Sequence, residues 1–217
     1  MRGSPIKTRV LSARIIPNAD EALLKALGAP PGDRSLGILT TDCDDVSYAA
    51  LDEATKKADV RVAYARSMYA GAANASTALA GEFIGILSAP GPEDVRSGLD
   101  AAIRYAREDA SFYSANDEDS VVYFAHTIAS TGSYLSAQAG VPPGTAMAYL
   151  IAPPLEAMVA LDAALKAADV TLRCFYGPPS ETNFAGGLLT GDQAACRAAC
   201  EAFAGAVTAI AAAPMNY

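Results

Sequence analysis

The run Thr40-Thr41-Asp42-Cys43-Asp44-Asp45 places three carboxylates within four residues. A turn of this kind can hold a small cation, or it can open a helix whose first turn welcomes negative charge. The stretch Ser111-Phe112-Tyr113-Ser114-Ala115-Asn116-Asp117-Glu118-Asp119 sets an aromatic pair beside acids. It reads either as a solvated linker or as part of a site for an amine. Two further segments have distinctive chemistry. Gly71 to Leu79 consists of small, uncharged residues, whereas Gly177 to Phe184 is stiffer and more polar. Each is a surface loop by composition, and the pair is differently tailored.

Other chemistries lack their parts. The single histidine, His126, falls in a strand-like run with no second histidine to complete a zinc site, so it is expected to be packed or hydrogen-bonded. Cys196 and Cys200 are one helical turn apart, while Cys43 and Cys174 stand alone; small buried thiols are expected, with no metal site. The pair Gly186-Gly187 lacks dinucleotide-cradle spacing, and no phosphate-binding loop appears. Hydrolase, kinase and dehydrogenase readings lack their core residues, and neither an enzymatic role nor a cofactor is implied.

The elements that position these groups are spelled twice. Ala50 to Val60 reads ALDEATKKADV and Ala160 to Val170 reads ALDAALKAADV, with eight of eleven positions identical at an offset of 110. A repeat of this kind decides the architecture before any single motif does. Both copies space apolar or small residues as an amphipathic helix. Asp52 to Lys56, Glu53 to Lys57 and Asp162 to Lys166 read as favourable pairs on an exposed face. The loop Gly28-Ala29-Pro30-Pro31-Gly32 returns as Gly140-Val141-Pro142-Pro143-Gly144, and the strand-like Val10 to Ile16 returns as Val122 to Ile128. One copy reads strand, short helix, strand, helix, strand, loop, strand, helix. In the first copy these fall near residues 7–16, 19–27, 35–41, 44–58, 59–69, 80–88 and 92–107. Two α+β domains are therefore expected, 1–110 and 111–217, each large enough for one modest core.

Hydrophobic content is 52%, much of it alanine, with no uninterrupted apolar run of bilayer length and no leader pattern at the start. A soluble, intracellular protein without a membrane partner is expected. The net charge of −8 disfavours a nucleic-acid partner, which calls for basic surface.

The spelling also resembles a known family. Asp44-Asp45-Val46-Ser47-Tyr48, Arg66-Ser67-Met68-Tyr69-Ala70-Gly71-Ala72, Thr131-Gly132-Ser133-Tyr134-Leu135-Ser136, Met147 to Ala157 and Ser180-Glu181-Thr182-Asn183 are similar to stretches of the tandem-domain bacterial microcompartment shell proteins, in particular those of ethanolamine utilisation. The resemblance implies two circularly permuted shell domains per chain and a homotrimer shaped as a flat pseudohexagonal tile. Such tiles pack edge to edge with other shell proteins inside the bacterial cytoplasm. It also implies a gated central pore and narrower openings for small metabolites. Candidate pore-loop residues are Gly71, Ala72, Asn74, Ser76, Pro178, Ser180, Glu181 and Asn183. A protein handling ethanolamine, an ammonium alcohol, should offer carboxylates and hydroxyls. The candidate set is Asp45, Glu82, Phe112 and Thr182, with Asp44 beside them. A trimeric small-ligand sensor with mobile loops is the competing reading, to be told apart by whether the protein forms sheets. A lyase or isomerase using paired carboxylates would require Asp44-Asp45 to be deeply buried with a raised pKa.

Overall fold

The computed structural model describes residues 1–68, 79, 81–178, 180 and 182–216. Its elements, in chain order, are β1 (Pro5–Ile6), β2 (Val10–Ile16), α1 (Glu21–Leu27), β3 (Ser35–Thr41), α2 (Asp44–Lys57), β4 (Arg61–Ser67), β5 (Phe83–Ala89), α3 (Pro92–Glu108), β6 (Phe112–Ser114), β7 (Val122–Ile128), α4 (Ser133–Ala139), β8 (Met147–Ala152), α5 (Pro154–Ala167), β9 (Thr171–Tyr176), β10 (Ala185–Thr190) and α6 (Gln193–Ala212). They form two compact units. One is Lys7–Ala110 with Gly132–Leu135; the other is Met1–Ile6, Ser111–Thr131 and Ser136–Tyr217. The division thus departs from 1–110 and 111–217 at two short segments.

Each unit has the order β-α-β-α-β-β-α. In the first, an antiparallel sheet runs β2-β3-β5-β4; in the second the same arrangement recurs as β7-β8-β10-β9, extended by β6 and β1. The duplication therefore reaches strand order and not only spelling. The extension corrects the reading of 111–119 as a plain linker. Tyr113 pairs with Pro5 on one side and Tyr123 on the other, and Ala115 is buried.

In the first unit, β3 and β5 are covered on both faces, which explains their near-continuous apolar spelling. Leu36 and Ile86 pack with Leu24 of α1, with Ile38 and Ile84 against that cluster. The opposite face meets α2 and α3 at very short range. A Cβ on Gly37 would lie 2.5 Å from Val95, and one on Gly85 would lie 2.9 Å from Leu51. Tight contact of this kind needs residues with almost no side chain at the crossing. The second unit builds its core from Ala148, Leu150 and Leu189 of the sheet against Ala157, Leu161 and Ala164 of α5 and Cys196, Ala199, Cys200, Phe203 and Val207 of α6.

Local signals agree with these bounds. Asp20 caps α1 through the amide of Ala22, and Asp192 caps α6 through that of Ala195. Gly28 and Gly140 end the two short helices in the left-handed region. Helix α6 is long and apolar enough, by length and composition, to qualify as a membrane span, a feature absent from the sequence expectation. Its charges Arg197 and Glu201 interrupt the run, and its stripe from Cys196 to Val207 lies in the core of its unit.

One expected surface pair is replaced by a buried one. Asp52 does not form an exposed pair with Lys56; it is fully buried, and its two carboxylate oxygens accept from the amides of Gly132 (2.7 Å) and Leu135 (2.9 Å). Ser133 donates its amide to Thr55 Oγ1 at 3.0 Å. Gly132 is required here, because a Cβ would lie 2.2 Å from Thr55 Oγ1 and 2.4 Å from the Asp52 carbonyl oxygen. Lys56 pairs with Glu53 instead, beside the expected Glu53–Lys57 pair. Burial raises the Asp52 pKa, opposed by the hydrogen bonds from Gly132 and Leu135.

Asp52→Ala strands two buried amides and is expected to destabilise the protein by about 3 kcal/mol; urea denaturation will measure it, with Asp52→Asn losing less. Gly81 adopts φ +65°, and a Cβ there would lie 2.1 Å from the Thr41 carbonyl oxygen. Gly81→Ala should therefore cost roughly 2 kcal/mol or more in the same assay.

Candidate functional site

The acidic turn lies between β3 and α2, and its three aspartates are used differently. Asp42 is taken by Arg9, whose backbone amide and Nε both donate to it at 2.7 Å. The cap of α2 is Cys43, which makes no side-chain capping bond, so none of the three aspartates is the N-cap. Asp44 and Asp45 instead occupy its first turn, where the helix dipole favours them. Thr41 and Ser47 hydroxyls both donate to the Cys43 carbonyl, tying the turn to the helix behind it.

Asp44 and Asp45 are both buried. Asp44 Oδ2 accepts from Ser67 Oγ at 2.7 Å, and Oδ1 accepts from the Asp45 amide at 2.9 Å. Because the Ser67 hydroxyl proton is spent on Asp44, Tyr48 donates its own to Ser67 Oγ at 3.0 Å. A relay Tyr48–Ser67–Asp44 results, with the Tyr48 ring edge-on to Phe83 at 4.8 Å. Sequence reasoning missed both hydroxyl partners. Tyr48 was recoverable as the i+4 neighbour of Asp44 on α2. Ser67 was not, since its place follows from the register Ser67 to Phe83 in the β4–β5 pair.

Glu82 joins the same corner. Its amide donates to the Thr41 carbonyl and its own carbonyl accepts from Met68, both at 2.8 Å. Only a glycine before it permits this, as Gly81 shows by its φ and by its contact with Thr41. Glu82 has a raised pKa, chiefly from burial and then from the charges of Asp44 and Asp42. Asp44 is also raised, again chiefly by burial, with the Ser67 hydrogen bond opposing. Three carboxylates of the sequence-derived set, Asp44, Asp45 and Glu82, therefore belong to one unit.

Phe112 and Thr182 belong to the other unit. Phe112 is buried on β6, stacked on Phe124 (5.3 Å) and edge-on to Phe184 (6.0 Å). Its ring is thus part of an aromatic cluster that also holds His126, stacked on Phe124 at 5.3 Å, and Tyr149. Thr182 is half-buried in a tight turn closed by Ser180 N–H to the Phe184 carbonyl (3.0 Å), with Asn183 in the left-handed region. Pro178 is exposed at the start of this turn. Of the remaining pore-loop candidates, Gly71, Ala72, Asn74, Ser76 and Glu181 lie outside the described residues.

The condition attached to a lyase or isomerase is met in part, since Asp44 is buried with a raised pKa. Both its oxygens, however, are engaged by Ser67 and the Asp45 amide. Among the described residues, no group of three or more histidines, cysteines, aspartates or glutamates is placed to hold a metal ion. The thiols of Cys196 and Cys200 are buried, while Cys43 and Cys174 are partly exposed; all four are free. Burial pushes the Cys200 thiol up to about 11.

Residues 35–117 match the BMC domain family. The bacterial microcompartment shell protein EutL of Clostridium perfringens is 58% identical over the full length of both chains. The crystal structure of the ethanolamine utilization protein EutL from Leptotrichia buccalis superimposes with a TM-score of 0.98 at 64% identity, covering all of both chains. A trimeric bacterial microcompartment shell protein, PduB, shares the fold at 21% identity, with a TM-score of 0.77 over 94% of this chain and 89% of its own. By the extent of these matches, the chain belongs to the EutL family of bacterial microcompartment shell proteins.

Proposed function

We propose that three copies of this chain form a pseudohexagonal tile with a gated central pore in the shell of an ethanolamine-utilisation microcompartment in the bacterial cytoplasm. The role is structural and selective, not catalytic. The observation that carries it is the recurrence, within one polypeptide, of the same β-α-β-α-β-β-α order with the same strand order in the sheet. Three such chains offer six similar wedges under closed cyclic symmetry. In this reading the halves 1–110 and 111–217 are two circularly permuted shell domains, and other shell proteins meet the tile at its edges. Residues 71–79 and 178–184 line or gate the openings, since loops low in bulk and charge rearrange at little cost.

Ethanolamine is the metabolite that the acidic corner suits best. Asp45 and Glu82, with Asp44 as a second-rank member of the set, would supply negative charge for its ammonium. Phe112 and Thr182 remain members of the proposed set in the other unit, to be tested separately.

Two measurements test the proposal. Electron microscopy of the purified protein at high concentration should reveal a hexagonal lattice of tiles; discrete trimers that never form sheets would favour the small-ligand sensor instead. Titration calorimetry with ethanolamine should show Asp45→Ala and Glu82→Gln binding about tenfold or more weakly; unchanged affinity would remove both residues from the site. The sign of the pH effect follows from the raised carboxyl pKa values. Only the ionised forms attract ammonium, so binding should be present at neutral pH. On acidification it should weaken at a higher pH than an ordinary surface carboxylate would require. Glu82→Gln should make that decline less steep.

A further inference from the structure

The two copies treat one corner of the sheet differently. In the first, the turn after the paired prolines brings Asp33 to the end of β4 and β5, its amide donating to the Pro30 carbonyl. Asp33 is only 5% exposed, and its carboxylate accepts from Ser88 Oγ at 2.7 Å and from Arg61 Nη1 at 3.1 Å. Arg61 and Ser88 are themselves partners across the two strands. Carboxylate, hydroxyl and guanidinium thus close the corner from within the chain.

The second copy keeps the backbone of this corner and drops its carboxylate. Thr145 stands where the repeat has Asp33, and its amide donates to the Pro142 carbonyl in the same turn. The cross-strand pair Arg61–Ser88 becomes Thr171–Thr190 in the same register. A cation returns by another route. Both copies have a bulge two residues further on, at Ala63 in β4 and at Arg173 in β9. A bulge re-aims its side chain, and Arg173 Nε donates to Thr190 Oγ1 at 3.0 Å. The Thr145 hydroxyl is turned away, onto the Pro142 carbonyl at 2.7 Å. Among the described residues no carboxylate pairs with Arg173, whereas Arg61 has Asp33.

The corner is open as a result. A cavity of about 440 Å³ is walled by Thr145, Thr171, Arg173 and Thr190, with Asp169 and Asp192. Its wall is closely built, since a Cβ on Gly191 would lie 2.7 Å from the Asp169 carbonyl oxygen. Thr190 is 5% exposed and, having accepted from Arg173, keeps its own hydroxyl proton to donate. We propose that this cavity binds a small carboxylate, which takes from Arg173 and Thr190 the hydrogen bonds that Asp33 takes from Arg61 and Ser88 in the first copy.

The chemistry of the wall selects the class of ligand. A planar carboxylate matches the fork of a guanidinium, and the group absent from this copy is itself a carboxylate. The Asp192 carboxylate is engaged by the Ala195 amide at 2.7 Å, but it and Asp169 still repel anions. Both repel a phosphate more strongly than a singly charged carboxylate, because the repulsion scales with the ligand's charge. The net charge of −8 and the exposure of Arg173 make the binding weak and sensitive to salt. Every residue of the cavity belongs to the second unit and none to the acidic corner, so the assignment is independent of the ethanolamine reading.

The test is saturation-transfer NMR on the full chain at low salt, with acetate and butyrate as probes and inorganic phosphate as competitor. The unmodified protein should show transfer to both probes, and Arg173→Gln should bind them about tenfold or more weakly. Thr145→Asp returns the missing carboxylate to the corner and should exclude the probes from a folded protein. Arg104→Gln, which removes an exposed arginine on α3, is the control for attraction to the surface in general and should change nothing. No transfer to the unmodified protein overturns the site, as does equal binding by Arg173→Gln or an equal loss in Arg104→Gln. Phosphate that displaces acetate at equal or lower concentration overturns the carboxylate assignment. Circular dichroism checks the fold of each variant, and should Thr145→Asp not fold, the pair Arg173→Gln and Arg104→Gln decides the matter.

Discussion

The closeness of the helices to their sheets constrains nearly everything else in this molecule. Where α2 and α3 cross β3 and β5, even a methyl group at Gly37 or Gly85 would collide with Val95, Leu99 or Leu51. In the other unit, Ala148, Ala157, Ala160, Ala164 and Ala199 line the corresponding contact. Interiors this close-packed transmit volume changes directly, so small residues are needed at the crossings and large ones only between them. The alanine-rich composition is thus a packing requirement. It also explains why a chain with such plain composition has two well-formed cores.

On that framework the polar chemistry collects where strand and helix ends meet. The acidic corner is built by backbone geometry first: Gly81 turns the chain so that Glu82 pairs with Thr41, and the β4–β5 register delivers Ser67 to Asp44. Burial raises the proton affinity of Asp44 and Glu82, and the charges of Asp44 and Asp42 raise that of Glu82 further. A positive charge placed there would offset the repulsion between Glu82 and the aspartates, which is the physical ground on which a cationic metabolite is proposed for this corner.

Duplication supplied two copies of each helix, and the copies have since been put to different uses. Asp52 and Asp162 occupy one repeat position, yet the first is a buried acceptor for two amides and the second a surface partner of Lys166. Likewise Asp44 and Asp45 correspond to Pro154 and Leu155, so one helix start has acids and the other a proline and an exposed leucine. The same architecture with altered faces lets one fold provide both an acidic corner and an aliphatic surface.

The strand and helix order of both units was legible in the residues, because periodicity and turn chemistry are local: the repeat at Ala50 and Ala160, the glycines ending α1 and α4, and the run from Val122 to Ile128 all correspond to observed elements. The duplication and the family resemblance were legible for the same reason. The short strands β1 and β6 were not, since Pro5 and Tyr113 become neighbours only through pairing across more than a hundred residues. Nor could spacing tell that Asp52 would turn inward rather than pair with Lys56, for both arrangements satisfy the same helical pattern. The sequence by itself determined the strands and helices that occur twice, though not the two short strands that extend one sheet. The tertiary structure decided which carboxylates are buried together and which hydroxyls and amides hold them, because those contacts depend on packing between segments that local propensity does not encode.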